Sequence, residues 1–258
     1  MASDMFKKRV EITAKRAVKD NIALFTYNTR GAGIVTYINK EKTKEFGGMA
    51  YEEIYEAYYD IKACIKELVL MGFENIFLQG HSLGATKTVY VYNKLLEEKD
   101  MFLEKIKGII LLSLVDIPNV QRYFLKDSYA MYLAYAQSKK AEDKELELMP
   151  RESFIHPISV KTYLRLFKEN ENLDFARYQD PKYNFKELNN IKVPLMMRWG
   201  NNNEMIIQKA EDLVEILKNK VKNNKADIFF VSGADHGYTG KEEVLANQIV
   251  NFVKGTGV

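Results

Sequence analysis

Apolar residues follow two alternating patterns along the chain, one typical of helices and the other typical of buried strands. Helical spacing of apolar side chains is found in five segments: 6–18, 51–71, 83–96, 210–217 and 241–253. Short apolar runs predict five strands: 22–27, 76–78, 109–115, 193–199 and 228–231. This alternation predicts an α/β fold in which a mostly parallel sheet carries helices on both faces.

The pattern changes between the third and fourth predicted strands. Residues 117–190 carry helical segments, among them 128–141 and 160–167, but no apolar run typical of a strand. A chain of 258 residues is of ordinary size for one α/β domain. We therefore predict a single domain, residues 1–258, in which residues 117–190 form a helical cap inserted over the edge of the sheet.

Charge and composition exclude several classes of function. The 38 Lys and Arg residues are interleaved with 35 Asp and Glu residues, so no basic stripe predicts a nucleic-acid partner. The longest apolar run is far shorter than the roughly 20 residues needed to cross a bilayer, which predicts no membrane partner. The first residues lack the apolar segment of a secretory signal, and we expect a cytoplasmic location.

Cofactor and metal motifs are missing from the sequence. Cys64 is the single cysteine and lies within a helical pattern, which is typical of a small buried apolar residue. The Gly-Ala-Gly at 31–33 lacks the third glycine of a dinucleotide loop, and no H-E-x-x-H motif occurs. We predict no cofactor and no metal.

The sharpest motif is Gly-His-Ser-Leu-Gly at 80–84, directly after one predicted strand and directly before a predicted helix. A G-x-S-x-G turn in this position exposes the serine hydroxyl and directs the next backbone N–H at a developing oxyanion. The motif therefore predicts Ser82 as a nucleophile and the N–H of Leu83 as one oxyanion donor.

A serine nucleophile needs a base, and the chain has three histidines. His81 lies within the turn itself and is poorly placed to deprotonate its neighbour, and His156 lies in the predicted cap. His236 follows the last predicted strand, at the sheet edge where open α/β sheets bind ligands. We predict that His236 is the general base.

These residues resemble the α/β-hydrolase fold family, and more narrowly its small bacterial esterase-like members. The resemblance covers nearly the whole chain and rests on three segments: 80–85, the Asn-Thr-Arg-Gly turn at 28–31, and Gly-Ala-Asp-His at 233–236. It implies a serine hydrolase acting on a small-molecule acyl ester. Ser82 would attack the carbonyl carbon, His236 would take its proton, and water would release the acid from an acyl-enzyme.

The acid of the implied triad has three alternatives. Family members place an Asp where this chain has Asn203, which can orient a histidine but cannot stabilise an imidazolium as a carboxylate does. Glu204 is the next residue, and Asp116 follows the predicted strand at 109–115. We take Glu204 as the predicted acid.

A second departure concerns the start of the fold. The family has three further strands, and a His-Gly loop with a second oxyanion donor, before the strand that corresponds to 22–27; here only a helix precedes it. This predicts an N-terminally truncated sheet with open edges at 22–27 and 76–78. The chain would then be a fragment, pair these two strands directly, or fill the gap with a second copy as a homodimer.

Two other functions use the same residues. A non-catalytic or impaired α/β-hydrolase-like protein would be consistent with Asn203 and the missing loop. A thioesterase or acyltransferase would share Ser82 and His236 and differ only in the acceptor and the acyl pocket.

Overall fold

Strands and helices alternate through most of the computed structural model, which describes residues 7–168 and 173–257. The strands are β1 (Thr36–Asn39), β2 (Lys44–Gly47), β3 (Ile76–His81), β4 (Ile106–Leu112), β5 (Leu195–Gly200) and β6 (Ala226–Val231). The α-helices are α1 (Lys8–Val18), α2 (Ala57–Leu70), α3 (Leu83–Glu97), α4 (Ile117–Leu125), α5 (Ser128–Ala141), α6 (Val160–Phe167), α7 (Lys186–Asn189), α8 (Ala210–Lys220) and α9 (Glu242–Gly255). This order confirms the predicted α/β class.

The central sheet consists of four parallel strands in the order β3-β4-β5-β6. Leu112, the last residue of β4, lies opposite His81 of β3 and Arg198 of β5. Because the strands are parallel, their carboxyl ends lie at one edge of the sheet. The loops that follow His81, Leu112, Gly200 and Val231 therefore lie side by side.

Helices cover both faces of this sheet, as predicted. Val89 of α3 and Leu213 of α8 belong to the core on one face, together with apolar residues of α2. Leu245 of α9 belongs to the core on the other face. Helix α1 packs on α9, where Arg16 Nε donates to Asn247 Oδ1 at 2.7 Å. The helix predicted at 6–18 is thus α1, and its first predicted residue lies outside the described part of the chain.

The predicted strand at 22–27 is wrong. In the described structure this segment has no regular secondary structure and pairs with no strand, so β3 is the outer strand of the sheet. A strand needs a neighbour for its backbone groups, and the direct pairing of 22–27 with 76–78 does not form. The side chains of Gln79 of β3 and of Phe25 are exposed.

A small hairpin that the sequence did not predict follows this segment. Strands β1 and β2 pair antiparallel, with Thr36 opposite Gly47, and form a sheet separate from the central one. The rings of Tyr37 and Phe46 lie 5.3 Å apart across the hairpin, and both side chains are largely exposed. Four-residue strands of this kind leave too short a pattern to detect in the sequence.

Four helices, α4 to α7, lie between β4 and β5 in the described part of the segment 117–190. The bounds of α5 and α6 match the predicted helices at 128–141 and 160–167. Leu148 and Ser159 add an isolated antiparallel bridge. Residues 169–172 of the segment lie outside the described residues, and its assignment as a cap stays a prediction. No described helix combines the length and the apolar character needed to cross a membrane.

Candidate active site

Ser82 lies in a strained turn that joins β3 directly to α3. Its φ of 57° and ψ of −125° are outside the regions that non-glycine residues normally adopt. Its N–H donates to the carbonyl oxygen of Leu112 at 2.9 Å, which continues the β3–β4 pairing by one residue. The sharp turn therefore begins at the sheet edge, as a nucleophile elbow requires.

The two glycines of the motif differ in their surroundings. A Cβ on Gly80 would lie 2.2 Å from the carbonyl oxygen of Gly84 and 2.5 Å from Thr88 Oγ1, so only glycine fits there. A Cβ on Gly84 would meet no atom within 4 Å. The close approach of strand and helix thus depends on Gly80.

The N–H of Leu83 is the first of helix α3. Within the described chain it makes no backbone hydrogen bond, whereas the N–H of Ala85 donates to the Ser82 carbonyl oxygen at 2.9 Å. Unpaired N–H groups and the helix dipole make the start of a helix favourable for negative charge. The Leu83 N–H is therefore available to an oxyanion beside Ser82.

The loops after β5 and β6 bring Glu204 and His236 together. The Glu204 carboxylate oxygen Oε1 contacts His236 Nδ1 and also accepts the N–H of Met205 at 2.9 Å. The Glu204 side chain is only 1% exposed. A carboxylate on Nδ1 leaves the other ring nitrogen, Nε2, to act as a base toward a nucleophile.

The second carboxylate oxygen of Glu204 is held from two other strands. Oε2 accepts the N–H of Gly200 at 2.8 Å and the hydroxyl of Ser113 at 2.7 Å. Burial alone would raise the pKa of Glu204, but the hydrogen bond and charge of His236, with those from Gly200 and Ser113, hold this pKa below its ordinary value. The carboxylate is therefore ionised at neutral pH.

His81 joins the elbow to the His236 loop. Its Nε2 donates to the main-chain oxygen of His236 at 2.7 Å, and the two rings lie 4.8 Å apart. Burial, with added repulsion from Arg9 and His236, keeps the pKa of His81 well below its ordinary value, so its ring is neutral. In the described structure no hydrogen bond joins Ser82 Oγ to His236; such contacts are often long until substrate binds.

The other two candidate acids lie elsewhere. Asp116 is buried at the start of α4, where it accepts Asn119 Nδ2 at 2.8 Å, and burial raises its pKa to about 6. Asn203 is exposed, with a φ of 50°. Among the three alternatives, only Glu204 contacts His236 in the described part of the molecule.

Two contacts near the site were not predicted. Ser113, which donates to Glu204, is fully buried. Its signal in the sequence was a single polar residue inside the apolar run at 109–115. The second contact is an ion pair between Lys87 of α3 and Glu52, whose side chains are 9% and 2% exposed. Gly31 approaches this pair closely, since a Cβ there would lie 2.2 Å from Glu52 Oε2.

A family model described as "Protein of unknown function (DUF1749)" matches residues 35–254. No curated protein matches the chain by sequence. Among solved structures, Est1E from Butyrivibrio proteoclasticus with bound ferulic acid is 14% identical, with 99% of this chain and 85% of that chain covered and a TM-score of 0.65.

Two other solved structures are similar in fold. The alpha/beta hydrolase GrgF from Penicillium sp. sh18 is 13% identical, with 96% of this chain and 84% of that chain covered and a TM-score of 0.62. Mouse alpha/beta hydrolase domain-containing protein 10 is 13% identical, with 99% and 87% covered and a TM-score of 0.55. The chain belongs to the DUF1749 family, and its fold is that of the α/β-hydrolases.

Proposed function

We propose that the protein is a serine hydrolase that cleaves small carboxylic esters through an acyl-enzyme. Ser82 is the nucleophile, His236 the general base and Glu204 the acid that orients it. The contact between Glu204 and His236, in loops beside the strained turn at Ser82, is the observation that carries this proposal. A buried, ionised carboxylate on Nδ1 is needed where an imidazole must take and return a proton.

The first half of the reaction transfers the acyl group to the protein. Ser82 Oγ attacks the ester carbonyl carbon as His236 Nε2 takes the hydroxyl proton, and the oxyanion faces the N–H of Leu83. The tetrahedral intermediate then collapses, the C–O bond to the alcohol breaks, and the imidazolium gives its proton to the leaving oxygen. Glu204 stabilises the imidazolium in both steps.

Water completes the reaction. His236 removes a proton from a water molecule as its oxygen attacks the acyl carbonyl, and the second tetrahedral intermediate expels Ser82 Oγ, which regains a proton from His236. The enzyme returns to its starting state and the acid is released.

A small cavity of about 10 Å³ lies beside the elbow. Leu83 and Thr86 of α3 line it together with apolar residues such as Ile117 and Leu166 and with the charged residues Arg165, Lys168 and Asp174. This volume accommodates about one water molecule and not an acyl group, so the proposal names the reacting residues and assigns no acyl pocket. A cytoplasmic location is consistent with the single cysteine, since disulfides are rare there.

The test is hydrolysis of p-nitrophenyl acetate together with covalent labelling by a fluorophosphonate. Ser82→Ala and His236→Ala should each lower kcat by more than about 10³, because nucleophile and base act as a unit. His156→Ala is the matched control and should retain activity. Hydrolysis that survives Ser82→Ala would overturn the mechanism, and a wild-type protein that is neither labelled nor active would favour the non-catalytic alternative.

A further inference from the structure

The turn or loop directly after each strand of the central sheet contains a non-glycine residue with a positive φ. Ser82 follows β3 (57°), Ser113 follows β4 (48°), Asn203 follows β5 (50°) and Tyr238 follows β6 (61°). Non-glycine residues adopt this conformation at an energetic cost, and it clusters where surrounding structure demands a particular side-chain position. The elbow accounts for Ser82, whereas Ser113 takes no part in the proton transfers between Ser82, His236 and substrate.

The strained backbone of Ser113 aims its hydroxyl at the acid. Its N–H donates to the Arg198 carbonyl oxygen at 2.7 Å, which ties it to β5, and its Oγ lies 2.7 Å from Glu204 Oε2. An ionised carboxylate only accepts hydrogen bonds, so the Ser113 proton points to Glu204. The Tyr238 hydroxyl, 3.1 Å from Ser113 Oγ and 2.9 Å from the Arg198 oxygen, packs against the same hydroxyl.

A glutamate needs such support more than an aspartate does. Its side chain has one more rotatable bond, so its carboxylate has more orientations available for a given backbone position. Here Oε2 is held by Ser113 and the Gly200 N–H, while Oε1 faces His236. The two oxygens therefore have different roles: Oε2 fixes the carboxylate, and Oε1 contacts the imidazole.

We propose that Ser113 is a positioning residue, whose hydroxyl fixes the Glu204 carboxylate so that its other oxygen orients His236. This inference rests on the proposed hydrolase function for its effect on rate. Its effect on the Glu204–His236 contact does not depend on that function, and the two are measured separately.

The experiment compares Ser113→Ala and Ser113→Gly with the wild type. Both remove the hydroxyl, but glycine also accepts the positive φ, so a loss that both variants share is due to the hydroxyl and not to backbone strain. The first readout is the low-field proton NMR resonance of the His236 Nδ1 proton in the resting protein. The second is kcat and KM for p-nitrophenyl acetate.

We expect the Nδ1 resonance to shift upfield or broaden in both variants, and kcat to fall about tenfold with KM little changed, since hydrogen bonds to charged groups are among the stronger ones. Ser153→Gly is the matched control, because this fully buried serine lies in the predicted cap, and among the described residues its side chain forms no hydrogen bond with Glu204 or His236. It should leave both readouts unchanged.

The outcomes separate the two proposals. An unchanged resonance, or a shifted resonance with unchanged kcat in an active protein, overturns the positioning role. If the wild type hydrolyses no ester, the resonance alone decides: a shift supports the positioning of the pair while the hydrolase proposal fails, and an unchanged resonance overturns both.

Discussion

A side chain on Gly80 would collide with the main chain of Gly84, because a Cβ at Gly80 lies 2.2 Å from the Gly84 carbonyl oxygen. The reverse is not true, since a Cβ at Gly84 meets nothing within 4 Å. Backbone cannot move aside as the end of a side chain can. The elbow therefore depends on one glycine of its motif and tolerates a change of the other.

Gly80→Ala should lower the free energy of unfolding by more than about 3 kcal/mol, because the strand and helix must separate to admit the methyl group. Gly84→Ala, in the first turn of α3, should be neutral or stabilising by up to about 1 kcal/mol. Urea denaturation of the two variants measures this difference. Equal losses of stability would show that the elbow can shift, and the steric argument would be wrong.

The elbow illustrates what the sequence can predict. The two glycines and Ser82 lie within the five residues 80–84, between an apolar run and a helical pattern, so the whole signal is local in the sequence. His236 and Glu204 were predicted through their places after predicted strands, and parallel strands bring such ends to one sheet edge. The structure brings these two side chains into contact, although their catalytic roles stay predictions.

The features that the sequence did not predict depend on distant partners. Residues 22–27 have the composition of a strand, but a strand also needs a neighbour, and the local pattern carries no information on whether one is present. Ser113 contacts Glu204 across 91 positions of sequence, and its role depends on a φ that no periodicity shows. The Lys87–Glu52 ion pair could not be predicted either, because its partners lie 35 positions apart in the sequence.

For the acid, we expect Glu204→Gln to lower kcat by about 10² to 10⁴, since an amide can hold the imidazole but cannot stabilise its charge. Asp116→Asn should stay within a few-fold of the wild type, because Asp116 caps α4 and does not contact His236. Each substitution replaces a carboxylate with an amide of nearly the same shape, so the kinetics of ester hydrolysis compare the two positions directly. Equal effects of the two changes would remove the preference for Glu204.

Asp116 should make the protein less stable as pH rises. Burial raises its folded-state pKa from 3.8 to about 6, so the folded protein binds the proton more tightly than the unfolded chain, and stability falls as pH rises from about 4 to about 6. Asp116→Asn removes this dependence while keeping a residue that caps helices well. At pH 7.5 the variant should gain up to about 3 kcal/mol over the wild type.

Urea denaturation at pH 4 and pH 7.5 measures this effect. The two proteins should have similar stabilities at pH 4, where the wild-type carboxyl is protonated, and should differ at pH 7.5. A gain of equal size at both pH values would show that a cause other than this ionisation is responsible.

Removing one partner of the buried Lys87–Glu52 ion pair should destabilise the protein more than removing both charges. Lys87→Met leaves the Glu52 carboxylate buried without its partner and should destabilise the protein by about 3 to 5 kcal/mol. The double variant Lys87→Met/Glu52→Gln should recover much of this loss, since no buried charge is left. Lys15→Met is the control, because it breaks an exposed ion pair in which the Lys15 side chain is 71% and the Glu11 side chain 61% exposed. It should cause no measurable change in the free energy of unfolding. A double variant as unstable as the single one would contradict this account.

The open edge of the central sheet should make the chain self-associate. Among the described strands, β3 has a neighbour on one side only, and the side chain of its Gln79 is exposed. Unpaired backbone groups at a sheet edge are templates for another chain, and a lysine on the edge opposes such pairing. We therefore predict concentration-dependent association in light scattering, reduced by Gln79→Lys. Tyr123→Lys, at an exposed position on α4, should have no effect. Association through β3 requires that its backbone groups be accessible. A wild-type chain that stays monomeric at high concentration would therefore show that these groups are covered, and the prediction would be wrong.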